Sequence, residues 1–358
     1  MSIRLRYHDV HGVSVETKAV ELDEAEPPLR PPLEAVRLQL DLPDRTAHVR
    51  CVRPVDRGPG GLTAGCRQLD GEILAGLRLA RLCDGRPYPR SVSRLLGYDA
   101  DAAQPFALLE PLRGVEVGTL AGTLPTEQRR RFQIGLLRAV RLLNAAGIAH
   151  RGISPGTVRW DGDDVQITDF AHAAPIGAPR TVVGVMPWQA PEQRSKPPRD
   201  WEPGLIGPND DVWAAGRLIF YVLTGEELDD TAKLADRPEL AELLAGVILP
   251  PERRPDAQTL LRRLGEADAP PRPLAADPAF SRGRAEFFAQ RRRKHPHTAP
   301  DPVTETKAPP VHETGDQDSG AHDSGDGASE PRSLDGSWLL WGGVTVLVVL
   351  ALYLIVGR

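Results

Sequence analysis

Cysteine is scarce in this chain of 358 residues: Cys51, Cys66 and Cys83 are the only three. Their odd count and spacing match neither a metal site nor a disulfide framework, so they read as buried thiols of a protein kept in a reducing compartment. The first ten residues, "MSIRLRYHDV", lack the apolar run that a secretory signal needs, so the body of the chain is expected to stay in the cytoplasm. A net charge of -5 gives no general attraction to nucleic acid, and no such partner is expected. No internal repeat is present. Glycine is missing from one long stretch, with none between Gly12 and Gly58.

Proline is abundant, with 35 residues, and it clusters. From 268 to 336 the composition shifts to Pro, Asp, Gly, Ser and His, as in "HETGDQDSGAHDSGDGASEP". Such a segment buries too little apolar surface to offset its ordering entropy and is expected to be a disordered linker. About 40 flexible residues give a root-mean-square reach of roughly 35 Å. The basic stretch "RGRAEFFAQRRRKH", 282 to 295, suits either an amphipathic helix on anionic lipid or a solvated linker. Thr298, Thr304, Thr306 and Thr314 are either phosphorylated docking sites or ordinary tether polarity.

Long apolar runs are absent until "WLLWGGVTVLVVLALYLIV", Trp338 to Val356, which carries no charge between Asp335 and Arg358. At about 1.5 Å per residue this length crosses nearly 30 Å, the hydrocarbon thickness of a bilayer. A transmembrane helix over 337 to 357 is expected. Trp338, Trp341 and Tyr353 stand where interfacial aromatics belong. So close to the last residue, the span is expected to act as a tail anchor with the body in the cytoplasm.

Residues 35 to 52 alternate apolar and polar, with Val36, Leu38, Leu40 and Leu42 on one face and a turn at Pro43 and Asp44. That pattern predicts a hairpin. Leu69, Ile73, Leu74 and Leu77 recur at helical spacing, so a helix follows the strands. Further on, 125 to 147 predicts a long amphipathic helix closed by Gly147, "DVQITDF" a short strand, "DDVWAAGRLIFYVLTG" an apolar helix ending at Gly225, and 255 to 265 a last helix. Strands first and helices after imply an α+β domain with two lobes. The first 29 residues are unassigned: an extra strand or an interaction arm.

In this order the pieces resemble a protein kinase domain over roughly 30 to 267. "HRGISPGTV", 150 to 158, is similar to the catalytic loop H-R-D-x-x-x-x-N, Asp169-Phe170-Ala171 to D-F-G, and Ala190-Pro191-Glu192 is a verbatim A-P-E. Asp211 resembles the residue that anchors the large lobe, and Arg254 the arginine that pairs with the A-P-E glutamate. The resemblance implies a two-lobed fold, a small β-rich lobe and a large helical one, with His150, Arg151, Glu192, Asp211 and Arg254 in structural roles.

The reacting positions depart from the family pattern. Phosphoryl transfer needs phosphates positioned, magnesium held and the acceptor hydroxyl oriented by a carboxylate. The position of that carboxylate is Gly152; the phosphate-facing lysine of the loop is Ser154, the metal asparagine is Thr157, and Val185 replaces a threonine beside the loop. No glycine-rich loop precedes the hairpin's second strand, so the phosphate lid is missing. The strand lysine corresponds to Arg50, with Arg53 as the other candidate, and Glu72 is its implied helix partner. Asp169 remains, as a residual magnesium ligand or as a cap on the following loop. Loss of one positioned acid or base typically costs about 10²–10⁴-fold, and loss of charge clamps costs more. The resemblance therefore implies a degenerate member, a membrane-tethered pseudokinase that binds a protein partner, such as an active kinase, with ATP and magnesium bound weakly or not at all. The alternative is an active serine/threonine kinase with relocated residues, Asp161, Asp163 and Asp164 being the nearest carboxylates.

The apolar run makes a direct prediction. The full chain is expected to stay in the membrane pellet through alkaline carbonate extraction, and a chain cut after residue 336 to leave it. Full extraction of the uncut chain would remove the anchor from consideration.

Overall fold

The structure, a computed structural model, describes residues 2 to 275 apart from 25, 28, 30, 56 to 60, 185 and 195 to 203, together with 278 and 282. The chain opens with β1 (Ser2–Asp9) and β2 (Ser14–Glu21), antiparallel from Ser2 opposite Val20 to His8 opposite Ser14. Then β3 (Leu33–Asp41) and β4 (Thr46–Pro54) form the hairpin expected from the alternation over 35 to 52. After α1 (Gly61–Leu82) come β5 (Leu95–Asp99) and β6 (Phe106–Leu109). The order β1-β2-β3-β4-β6-β5 closes on itself, with His8 opposite Tyr98, so this barrel leaves no bare edge.

In the segment left open between an extra strand and an arm, β1 and β2 are strands and staves of the barrel. Their apolar alternation is faint because β2 buries only Thr17 and Ala19. Tyr7, Ala19, Leu38, Leu40, Val49 and Cys51 fill one side of the sheet. The other side, through Leu33, Val52 and Leu95, receives Leu69 and Ile73 of α1. Of the three cysteines only Cys51 is buried; Cys66 and Cys83 are half-buried, against the expectation for all three.

The second part is mostly helical. It runs β7 (Val115–Glu116), α2 (Thr126–Ala145), β8 (Ile148–Ala149), β9 (Val158–Trp160), β10 (Val165–Ile167), β11 (Ala174–Pro175), α3 (Asp210–Thr224), α4 (Pro238–Leu244) and α5 (Ala257–Arg263). Its core joins Phe132, Leu136 and Val140 of α2 to Leu218 and Phe220 of α3 and Leu260 of α5. Because α3 is apolar nearly all round, it runs through the interior. It stops at Gly225, whose φ of 79° lets its N–H reach the carbonyl of Tyr221. Strands β10, β9 and β7 make a small sheet, and β8 pairs with β11. This mixed α/β order is the one expected of a kinase-like fold.

Beyond residue 267 the chain does not leave at once. Asp268 meets Arg141 of α2 at 2.7 Å, and the N–H of Leu274 donates to Ala145 at 2.9 Å. The expected linker therefore starts later than 268. No helix among the described residues is long and apolar enough to cross a membrane. The span over 337 to 357, the four linker threonines, most of the basic stretch and Val185 lie outside the described residues.

One contact sets the distance between α1 and the segment after Asp169. A Cβ at Gly71 would lie 2.9 Å from the carbonyl oxygens of Phe170 and Ala171, so the helix touches that backbone directly. Alanine favours a helix over glycine by about 1 kcal/mol, whereas overpacking against fixed backbone costs about 1–3 kcal/mol. Gly71→Ala is therefore expected to lower the thermal midpoint by about 2–4 °C or more. A raised midpoint in calorimetry would show that α1 can back away.

Candidate functional site

Strand β8 delivers the chain into the loop His150 to Val158. Arg151 sits there at φ 63°, a left-handed conformation that costs a non-glycine residue roughly 1–2 kcal/mol. It is held by Asp211, whose two oxygens accept the N–H groups of His150 at 2.6 Å and Arg151 at 2.7 Å. Burial pushes the Asp211 carboxyl up to about 6, and those two N–H groups hold it down against that push. His150 donates from Nε2 to the carbonyl of Thr168 at 3.0 Å and accepts the N–H of Gly152 on Nδ1 at 3.2 Å. Its ring meets the Phe170 ring at 4.9 Å between centroids. Arg254 grips Glu192 at 2.9 and 3.3 Å, with both side chains fully buried. The Arg151 guanidinium donates to the carbonyl of Thr181 at 2.5 Å.

The loop positions that the resemblance marks as reacting hold Gly152, Ser154 and Thr157. The three atoms nearest to a Cβ built on Gly152 belong to His150 and His172, at 3.5 to 3.6 Å, and none is a carboxylate oxygen. Thr157 Oγ1 accepts from the N–H of Ser154 at 2.9 Å and donates to the carbonyl of Gly152 at 2.9 Å, so it staples the loop to itself. Ser154 is buried beside it, hydroxyl to hydroxyl at 3.3 Å. The acids that could have stood in are committed elsewhere. Asp161 caps the turn between β9 and β10 and meets Arg90, Asp163 meets Arg131, and Asp164 meets Arg90.

Asp169, at φ 60°, lines the cleft with Thr157, while Phe170 turns inward to the core. The N–H of Phe170 donates to Glu72 Oε2 at 2.6 Å, which ties α1 to this segment. Thr157 offers a neutral oxygen already bonded twice, and the carboxylates that line the cleft are Asp169 and Glu116. Among the described residues no group of three or more His, Cys, Asp or Glu could hold a metal ion.

Arg50 is buried at the expected strand position, but its ion pair is not the one expected. Its Nε meets Glu26 at 2.8 Å, and the other Glu26 oxygen takes Arg37 Nε at 2.8 Å. Glu72 is occupied with Phe170. Arg53, the other candidate, is half-exposed and pairs with Glu34 at 2.7 Å. Glu26 stands on the strap Leu22 to Pro32, which joins β2 to β3 where a phosphate lid would lie. Sequence reasoning missed it, though "DEAEPP" in a glycine-free connection was a signal: Pro27, Pro28, Pro31 and Pro32 have no N–H to offer a phosphate. Below the strap, Pro27, Leu29, Arg50, Thr157, Arg159 and Asp169 line a cleft of about 170 Å³. Ligand pockets usually run to about 300–1,000 Å³.

Burial, and next the Asp169 charge, push the Glu72 carboxyl up to about 8, against the opposing pull of Arg50 and the Phe170 N–H. A carboxyl raised in the folded state binds its proton more tightly there than in the unfolded chain, so it stabilises fully at low pH. That contribution falls as pH climbs from about 4.5 through about 8. Glu72→Gln keeps the acceptor for Phe170 without the charge. Its midpoint is expected to match the parent at pH 5 and to exceed it at pH 8; the reverse order in paired thermal melts would show that Glu72 is held as a stabilising anion.

No protein-family model matches the chain. It is 25% identical over 151 residues to "Probable serine/threonine-protein kinase PkwA" of Thermomonospora curvata, covering 41% of this chain and 19% of that protein. It is 31% identical over 120 residues to "CBL-interacting protein kinase 4" of Oryza sativa subsp. japonica, covering 32% and 25%. To "Sperm motility kinase 2B" of Mus musculus it is 28% identical over 162 residues, covering 44% and 32%. The chain thus spans about a fifth to a third of the length of these curated relatives. Together with the loop and ion-pair geometry, they support a protein-kinase-like chain.

Proposed function

We propose that this chain is a membrane-tethered pseudokinase: its kinase-like domain binds a protein partner, such as an active kinase, as a scaffold or allosteric regulator in signalling, with weak or no ATP binding. One observation carries this reading: the groups that phosphoryl transfer requires are either replaced or bonded within the protein. Position 152 has no side chain, Thr157 staples its own loop, and Arg50 is neutralised by Glu26. The frame around them is intact and well paired, through Asp211 on the loop and Arg254 on Glu192. A surface that folds this completely without chemistry suits recognition. The apolar run and the linker give that surface its place, at the inner face of a membrane. The competing reading, relocated catalytic acids, meets Asp161, Asp163 and Asp164 already engaged with arginines.

Purified full chain in detergent, with magnesium and labelled ATP, is expected to transfer no more phosphate to itself or to a general protein substrate than Asp169→Ala does. Transfer that disappears in Asp169→Ala would overturn the reading. Deleting residues 283 to 336 while keeping the span is expected to leave co-purifying partners bound, and their loss would move recognition from the folded domain to the linker.

A further inference from the structure

The cleft has lost its reacting groups and gained an occupant. Arg50 Nε and Arg37 Nε each lie 2.8 Å from one oxygen of Glu26, whose side chain is 1% exposed while that of Arg50 is 3% exposed. Arg37 holds Glu24 as well. A third cation, Arg159, lines the same cleft, but it pairs with Glu116 at 3.6 Å and donates to the carbonyls of Arg113 and Gly114. Guanidinium groups converging on one oxyanion make the geometry that binds phosphate.

We propose that Arg37 and Arg50 form an anion-binding site whose resident ligand is the chain's own Glu26 carboxylate, and that Glu26, with Pro27 and Leu29 beside it, thereby bars phosphate-bearing ligands from the cleft. Three observations support this over an incidental ion pair. Pro27 and Leu29, on the strap Leu22 to Pro32, line the cleft itself, so the strap forms part of its wall. Arg50 is buried in the position where a cation would meet a phosphate, and a buried cation without a counter-charge is strongly destabilising. Glu26 is also covalently tethered, so its effective concentration at the arginines is about millimolar or higher. A free ligand must exceed that while gaining no N–H contacts from the prolines.

This proposal deepens the pseudokinase reading but rests on separate geometry. The probe is millimolar inorganic triphosphate without magnesium, added to the full chain in detergent, with the thermal midpoint as readout. The parent is expected not to shift. Glu26→Gln is expected to rise by about 3 °C or more, and the rise should vanish in the double variant Glu26→Gln with Arg50→Gln. A parent that shifts as far as Glu26→Gln overturns the proposal, as does a folded Glu26→Gln that ignores triphosphate. If Glu26→Gln gives no cooperative melt, Glu26→Asp takes its place, keeping the charge but withdrawing it by one methylene. A shift larger than the parent's then supports the occupant role, and no shift overturns it. Triphosphate without effect on a folded variant leaves the pseudokinase reading standing, whereas loss of partner binding removes that reading and leaves this one.

Discussion

One buried carboxylate shapes the centre of this protein. Asp211, at the start of α3, accepts the backbone N–H groups of His150 and Arg151 and so holds Arg151 in a conformation that its side chain disfavours. Without that acceptor the loop would have two orphaned donors in the core, and β8 would have no fixed route to β9. His150 extends the same control to Thr168 and, through its ring, to Phe170. Since Phe170 in turn donates to Glu72, a chain of contacts runs from α3 through the loop to α1. The barrel and the helical part are joined by that chain, and none of its members is a reacting group.

The contrast between retained and replaced positions follows a physical line. Residues whose role is to satisfy backbone or pair buried charge are present: Asp211, Arg254 with Glu192, and Asp210 with Arg180 at 2.7 Å. Removing one partner of such a pair leaves an uncompensated charge and costs about 3–5 kcal/mol, a large share of a domain's stability. Positions that would touch only a substrate or a nucleotide carry no such cost, and Gly152, Ser154 and Thr157 are where the pattern departs. The division is between what the fold needs and what chemistry needs.

Much of this was legible in the sequence. The hairpin of β3 and β4 showed as alternation of Leu38, Leu40, Val49 and Cys51, and α3 showed as an apolar run stopped by Gly225, because in both cases burial is continuous along one element. The loop residues and the Arg254–Glu192 pair were legible by resemblance, since their spacing is fixed by backbone geometry. What escaped was set by partners distant in sequence. The alternation of β2 is faint because the barrel buries only two of its residues, and the onset of the linker depended on Arg141 reaching Asp268. Glu26 escaped because an acidic, proline-rich connection looks like any solvated loop until the fold sets it against Arg37 and Arg50. The same event diverted Arg50 from Glu72.

The room at Gly152 bears on what the fold requires there. A Cβ there would meet its neighbours only at ordinary contact distance, and its φ is not among the left-handed values, so folding never demanded the smallest residue. An acid could stand at that point without displacing a neighbour, so the smallness of position 152 is no requirement of the packing around it.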